Sequence, residues 1–578
     1  MTKDSGKIIR LEDRRPGASA GAMARVHDRL PVTRPVEAID EILSRDDAED
    51  YIKSLNPHGL YRLIREAGFD QGMDLIPYTA PEQLQIFVDL DCWKRDHIDT
   101  DRMAAWLAVM VADADDAHFK AALRDLDPEV VSLFFKKNLR AVEIVEEGEI
   151  PPGMPDPVEL SPDNAYAISY PEDEDLAALL RALLQRLYDQ DMGLAWTLLE
   201  SVRWELESDM EETAYRFRSS RLEEFGFVER TEALEVYALL DPVKLRDRWE
   251  QGNLEKKIAT PPPEQLEVPA VLREAADERL YFFEILNELD DDAAIALLIM
   301  ELATLTNRTL IADGIEPGEL ETGGEVVRRT AGFLSLGLEF LSRADHEKAR
   351  QGLETVPLKT LFRLGHAIAQ NLRQKARNLK DRPTLTLVES VPFSLLNPDE
   401  AALFEGLEDL RPTYGRDAER FEIFQEQAQV DDAALRIGMV AFKQLWLFGV
   451  QQAAVEDLAP LVYDGAVKND PDQISFDVFF STALSTFLLT GEPALRGLSR
   501  AELTDLPRVL REAAWSEDPV AFFEPLIGPM LVALPAATAS MTTRWLNQTL
   551  ELLVEELAGV EFVDELEPFF PLVLVANP

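Results

Sequence analysis

Residues 173–191 read DEDLAALLRALLQRLYDQD, and this stretch decides the fold class. Leu176, Leu179, Leu180, Leu183, Leu184 and Leu187 recur at steps of three and four, so they share one side of a helix. The polar–apolar alternation of a half-buried strand is scarce here and throughout the chain. The helical period returns upstream, from Asp99 or Thr100. Thr100 can cap that helix, Asp101 favours its positive end, and Met103, Trp106, Leu107 and Met110 line one face. Downstream, Leu435, Met439, Phe442, Trp446 and Gly449 fall on one face, the glycine allowing a neighbour to approach closely.

Helix starts are written just as plainly. Leu55-Asn56-Pro57, Leu126-Asp127-Pro128, Leu240-Asp241-Pro242 and Leu396-Asn397-Pro398 share one device. The short Asn or Asp side chain accepts a hydrogen bond from a free N–H of the first turn. Proline follows where its missing N–H costs nothing and its fixed φ suits a helix. Successive copies stand 71, 114 and 156 residues apart, which excludes a fixed-period solenoid and leaves room for an irregular helical repeat. Asp290-Asp291-Asp292, heading the apolar run AAIALLIM, reads as another such cap.

Prolines mark the breaks. Pro151, Pro152, Pro155, Pro157, Pro162 and Pro171 are too dense for helix, so 147–172 reads as a crossing linker. AVEIVEE and NAYAISY at its ends alternate enough for a small hairpin. Thr260-Pro261-Pro262-Pro263 marks a second linker, over 259–268, and PTLTLVESVPF (383–393) has the makings of a short strand. The expected order is a flexible basic tail over 1–35, a short-helix superhelical unit over 36–146, and the first linker. Helical units over 173–258 and 269–382 follow, then an acidic helical unit over 383–578. The fold class is all-α: an irregular helical-repeat or bundle architecture with at most a small β-hairpin or short strands.

The chain has 578 residues, more than one hydrophobic core organises. Its 107 acidic and 58 basic side chains leave a net charge of −49, which argues against nucleic acid or an anionic bilayer as a partner of the body. Residues 1–35 run the other way, with eight Lys/Arg against four acids. Cys92 is the single cysteine, so neither an intrachain disulfide nor a thiolate metal cage forms, and no two of the six histidines stand at zinc-site spacing. The opening MTKDSGKIIRLEDRRPGAS lacks the apolar core of a secretory signal. Residues 525–543 carry no charge, but Pro529 and Pro535 interrupt them, and a bilayer span needs roughly 20 mainly apolar residues. A buried core helix is expected there, in a cytoplasmic protein without membrane insertion.

The segment EETAYRFRSSRLEEFGFVERTEALEVYALLDP (211–242) resembles the signature stretch of an uncharacterised bacterial "domain of unknown function" family of acidic helical proteins. That resemblance implies no activity, substrate or catalytic residue. Residues 48–140, with LYRLIREAG, APEQLQIFVDLD and LRDLDPEVVSLFFKKNL, are similar to the cytosolic superhelical domain of MgtE-type magnesium transporters. The second resemblance implies architecture alone.

The densest set of metal-type ligands is DLDCWKRDHIDTD, with Asp89, Asp91, Asp96, His97 and Asp99 as weak candidates. The spacing is not an EF-hand: Trp93 takes the third ligand position and the turn glycine is missing. Solvated helix ends explain these residues more simply. Glu212, Arg216, Arg218 and Arg221 are candidates for an interaction face, weighed against an ion-pair network that ties their helix to the next. RQKARNLKDR (373–382) is a basic island at a helix end, where cations offset the dipole, and it has no aromatic residue to stack a base. No phosphate-loop, dinucleotide or nucleophile-elbow motif occurs, so neither a catalytic residue nor a cofactor is assigned. The sequence therefore reads as a non-catalytic interaction scaffold or adaptor whose acidic surface meets protein partners with basic surfaces. The alternative is a divalent-cation-responsive regulatory module.

Overall fold

A computed structural model describes residues 35–68, 72–112, 116–146, 149–254, 279–319, 323–380, 394–462, 465–512, 522–533, 536–560 and 566–577. Structural statements below refer to these residues. The chain forms two compact units, residues 1–365 and 366–578. Residues 1–34 of the tail expected over 1–35, the Thr260–Pro263 break and the strand at 383–393 lie outside the described residues.

The first unit begins with short helices: α1 (Pro35–Leu43), α2 (Ala48–Ser54), α3 (Pro57–Ala67) and α4 (Pro81–Asp91). A two-stranded hairpin, β1 (Trp93–Lys94) and β2 (His97–Ile98), leads into α5 (Thr100–Ala112), α6 (Asp116–Asp125) and α7 (Pro128–Asn138). A small antiparallel sheet follows, in the order β3 (Ala141–Ile144), β5 (Tyr166–Ser169), β4 (Val158–Leu160). AVEIVEE and NAYAISY pair as their alternation suggests, Ala141 opposite Ser169 and Ile144 opposite Tyr166. The proline-rich stretch between them contributes β4 to the free edge of β5 instead of running as a plain crossing.

Long helices then take over: α8 (Glu174–Gln190), α9 (Met192–Trp204) and α10 (Glu207–Glu223). The leucine stripe of α8 does what its period requires. Leu180, Leu183, Leu184 and Leu187 are buried, and Leu176 and Leu179 pack against the same core. Each such side chain removed from water stabilises the fold by about 1.5–3 kcal/mol. Short α11 (Arg230–Ala233) and α12 (Pro242–Glu250) precede α13 (Tyr281–Asn287), α14 (Asp292–Ala312), α15 (Gly324–Ser342), α16 (His346–Thr355) and α17 (Leu358–Lys380).

In the second unit, α18 (Pro398–Glu408) packs on the hairpin β6 (Thr413–Asp417) and β7 (Arg420–Ile423). Then come α19 (Gln427–Gln444), α20 (Val455–Val462), α21 (Phe476–Thr490), α22 (Arg500–Glu512), α23 (Glu524–Ala533) and α24 (Ala536–Leu557). Trp446, Phe480 and Trp545 form its aromatic centre, with Phe480 and Trp545 stacked at 3.9 Å. Beside it the buried Lys443 ammonium bonds to Glu400 at 2.7 Å and to Asp477 at 2.6 Å. Burial opposes that charge, yet Asp477 and Glu400 hold the lysine pKa above its ordinary value.

All four Asn/Asp-Pro tripeptides start helices. Asn56 Oδ1 accepts from His58 N–H at 2.9 Å, Asp127 from Glu129 at 3.4 Å, Asp241 from Val243 at 3.1 Å, and Asn397 from Glu400 at 2.9 Å. Asp291 caps α14 through Ala293 at 2.9 Å. In α5 the capping carboxylate is Asp99, which accepts from Asp101 at 3.2 Å, and not the Thr100 hydroxyl. Residues 525–543 divide between α23 and α24, with Leu526 and Ile527 buried. Gly449 is exposed in the π-helical turn after α19 and faces Leu445 of its own helix, so it admits no neighbour. Helices Asp292–Ala312 and Gln427–Val450 are long and apolar enough to cross a membrane; the apolar residues Ile295, Leu298, Leu302 and Leu305 of the first are packed inside its unit.

The crossing of α15 and α17 depends on two glycines. A Cβ on Gly337 would collide with the carbonyl oxygen of Leu361, and one on Gly365 with that of Phe333. Backbone cannot swing aside as a side-chain tip can. Gly337→Ala and Gly365→Ala should each destabilise the protein by about 1–3 kcal/mol in chemical denaturation. An unchanged midpoint in both would contradict the close crossing.

Candidate functional site

Asp89 and Asp91 occupy the last turn of α4, where Asp89 is 0% and Asp91 3% exposed. Arg221 of α10 grips the Asp89 carboxylate with both faces of its fork, Nε at 2.6 Å and Nη2 at 3.0 Å. Its remaining nitrogen donates to Asp127 Oδ2 at 3.2 Å, and Gln85 Nε2 donates to Asp89 at 2.9 Å. Arg218 Nε donates to the Asp89 carbonyl at 2.7 Å. Asp91 accepts from Tyr61 Oη at 2.9 Å, Trp106 Nε1 at 2.8 Å and Arg102 Nη1 at 3.1 Å. Burial pushes the Asp89 carboxyl up in pKa, and the Arg221 and Gln85 donors oppose that shift by replacing water.

The other metal-type candidates sit elsewhere. Asp96 and His97 are exposed on the hairpin, and His97 Nδ1 lies 3.0 Å from Glu211 Oε2. Asp99 caps α5 and pairs with Lys94 at 2.7 Å. Among the described residues, the set that brings three His/Cys/Asp/Glu ligand atoms within 4.8 Å of one another is Glu284, Glu288 and His346. It is partly satisfied already, with His346 Nδ1 at 2.7 Å and Arg350 at 3.7 Å from Glu288.

The candidate face Glu212, Arg216, Arg218 and Arg221 is divided by the geometry of α10. Glu212 and Arg216 form an exposed pair at 3.4 Å, whereas Arg218 and Arg221 turn inward. The network ties α10 back to α4, far upstream, and not to the helix that follows.

The neighbouring helix α9 carries a different feature. Ala195, Leu198, Leu199 and Val202 bury one side, leaving Trp196 43% and Trp204 75% exposed. Neither indole is loose. Trp196 Nε1 donates to Asp163 Oδ2 at 2.7 Å, and Trp204 Nε1 to Glu200 Oε2 at 2.9 Å. Eight residues of helix separate them by about 12 Å. The Tyr166 hydroxyl, 2.7 Å away, and Arg203 hold the Glu200 carboxyl below the usual carboxylate range. Alongside runs a groove of about 260 Å³ lined by Leu194, Leu198, Met210, Glu129 and Glu205 among others. Its Glu129 carboxyl is pushed up to about 7 by sharing a hydrogen bond with Asp127 and by burial. Exposed, pinned indoles on α9, with the Asp163 and Glu200 carboxylates on their N–H groups and the exposed Glu205, Glu207 and Asp209 beyond the helix end, form a surface suited to a cationic chain; the groove lies on the Leu194, Leu198 and Glu205 side of the same helix.

Residues 18–576 match the Family of unknown function (DUF6178). The chain belongs to that family. No curated protein and no solved structure matches it. The likeness of residues 48–140 to the MgtE-type domain therefore finds no support. Membership in DUF6178 covers nearly the whole chain and leaves the chemistry to be read from residues.

Trp196 and Trp204 were legible in principle: both fall off the buried stripe of α9, and a large aromatic residue on the wet side of a helix asks for an explanation. Glu129 was not, because its altered acidity arises from folding beside Asp127. The Asp89–Arg221 pair has a measurable consequence. Arg221→Met leaves a buried carboxylate without its partner and should destabilise by about 3–5 kcal/mol, while Arg216→Met should change stability by less than about 0.5 kcal/mol. Equal midpoints for the two variants in urea would contradict the assignment.

Proposed function

We propose that this protein is a non-catalytic interaction scaffold of the cytoplasm whose acidic α9 face docks lysine- or arginine-rich segments of protein partners. One observation carries the reading: two exposed tryptophans of α9, each locked by a carboxylate through its indole N–H, stand on a helix followed by the exposed acids Glu205, Glu207 and Asp209. Fixing a large ring before binding spares the entropy of fixing it afterwards. Cation–π contact over such a ring contributes about 0.5–2 kcal/mol for each guanidinium it meets. The charge of −49 draws cationic segments towards the protein and repels anionic polymers.

The test uses a fluorescent arginine-rich peptide and anisotropy. Binding should weaken as salt rises, because exposed charges are screened beyond about 8–10 Å at physiological ionic strength. Trp204→Ala and Trp196→Ala should each weaken it by about tenfold, or about 1.4 kcal/mol. It should strengthen from pH 6 to pH 8, since the Glu129 carboxyl gains its negative charge on passing about 7, and Glu129→Gln should remove that rise. Binding indifferent to both tryptophans would sink the reading.

A second reading, response to a divalent cation, rests on Glu284, Glu288 and His346. If it holds, millimolar magnesium or a transition metal raises the melting temperature of the parent and not of Glu288→Gln. Superimposable melting curves with and without metal dismiss it.

A further inference from the structure

The β1–β2 turn, α10 and the segments 227–231 and 311–317 surround a cavity of about 410 Å³ in the first unit. That volume lies within the range of small-molecule sites. Tyr215, Leu222, Phe227, Ile311, Ile315 and Pro317 give it apolar walls, and Arg95, Arg218 and Arg230 contribute cationic side chains.

Arg218 is the telling member. It is 4% exposed, and although its Nε is used on the Asp89 carbonyl, its Nη2 has no hydrogen-bond partner. Its ion-pair partner is Glu316, whose Oε2 stands 3.5 Å away, a long contact that leaves Nη2 without a well-formed hydrogen bond. The other oxygen of Glu316, Oε1, takes the backbone N–H of Arg95 at 2.8 Å. That bond holds Arg95 at φ 60, a left-handed conformation that a side chain makes unfavourable by about 1–2 kcal/mol. The guanidinium groups of Arg95 and Arg230 form no ion pair among the described residues. Trp93 Nε1 is also buried without a partner, and its ring lies 5.5 Å from the Arg218 guanidinium.

A folded chain seldom leaves buried donors unmet. In a protein with a net charge of −49, carboxylates able to meet them are abundant, yet Arg218 Nη2 on the cavity wall has only the long contact to Glu316, and Trp93 Nε1, whose ring neighbours that guanidinium, has no partner. Asp96 and Glu229 line the cavity as well and are exposed, so the lining is of mixed sign and gathers no simple inorganic anion. It suits a molecule with its negative charge at one end and an apolar body at the other.

We propose that this cavity binds a small organic carboxylate, its charged end on Arg218 and its apolar body against Tyr215, Phe227, Ile311 and Ile315. Titration calorimetry of the full chain with phenylacetate and with neutral phenylacetamide tests it. Phenylacetate should bind saturably, and the amide at least about tenfold more weakly, as expected where a charged donor lacks its acceptor. Arg230→Ala, at the exposed edge, and Ile315→Trp, which fills the space, should each lower phenylacetate affinity by about tenfold or more. The melting temperature of Arg230→Ala should stay at the parent value, which separates loss of the site from loss of the fold. Equal binding of acid and amide, parent-like binding by both variants, or no binding of phenylacetate, benzoate or 4-phenylbutyrate at millimolar concentration would each overturn the proposal.

Discussion

The grip of Arg221 on Asp89 is the constraint on which the first unit turns. A carboxylate with no exposed surface is tolerable only if donors surround it, and here the fork of one arginine and an amide supply them, while Arg218 takes the main-chain carbonyl of the same residue. The pair joins residues 132 positions apart, fixing α10 against the end of α4. Once α10 is fixed, so are Tyr215, Arg218 and Leu222 on the cavity wall and Met210 in the groove beside α9. A buried ion pair adds little net stability over apolar packing, but it penalises any misregistered arrangement that strands a charge.

The second unit repeats the principle with other residues. Lys443, Glu400 and Asp477 share charge beneath a tryptophan–phenylalanine stack, and Trp545 Nε1 and Asn397 Nδ2 donate to Asp477 at 2.7 and 2.8 Å. Asn397 thus starts α18 and also stiffens the triad. In both units the buried carboxylates described above meet a cation, a division of the acids between a few paired inside and exposed ones such as Glu205, Glu207 and Asp209. That division lets a chain this acidic keep compact cores while its outside repels polyanions.

Local chemistry explains which parts were legible beforehand. The leucine stripe of α8 and the Asn/Asp-Pro starts depend on neighbours three or four residues away, so sequence and structure agree on them. The 147–172 stretch misled for a related reason: prolines forbid helix but allow edge strand, and only the partner β5 shows which was meant. Asp89 and Asp91 resembled metal ligands because a linear reading cannot see Arg221, Tyr61 or Trp106 arriving from elsewhere. Arg218 and Arg221 read as part of an interaction face or of an ion-pair network to the next helix, and nothing in their spacing announced that they turn inward to α4.

Cys92 follows directly on Asp91, is fully enclosed, and its thiol is pushed up in pKa by burial and by the aspartates nearby. As the single sulfhydryl of the molecule, it stays silent towards alkylating reagents while α4, the hairpin and α10 hold together. Each event that lets a reagent in is therefore a parting of those elements. The protein carries its own clock for the breathing of its most tightly held region.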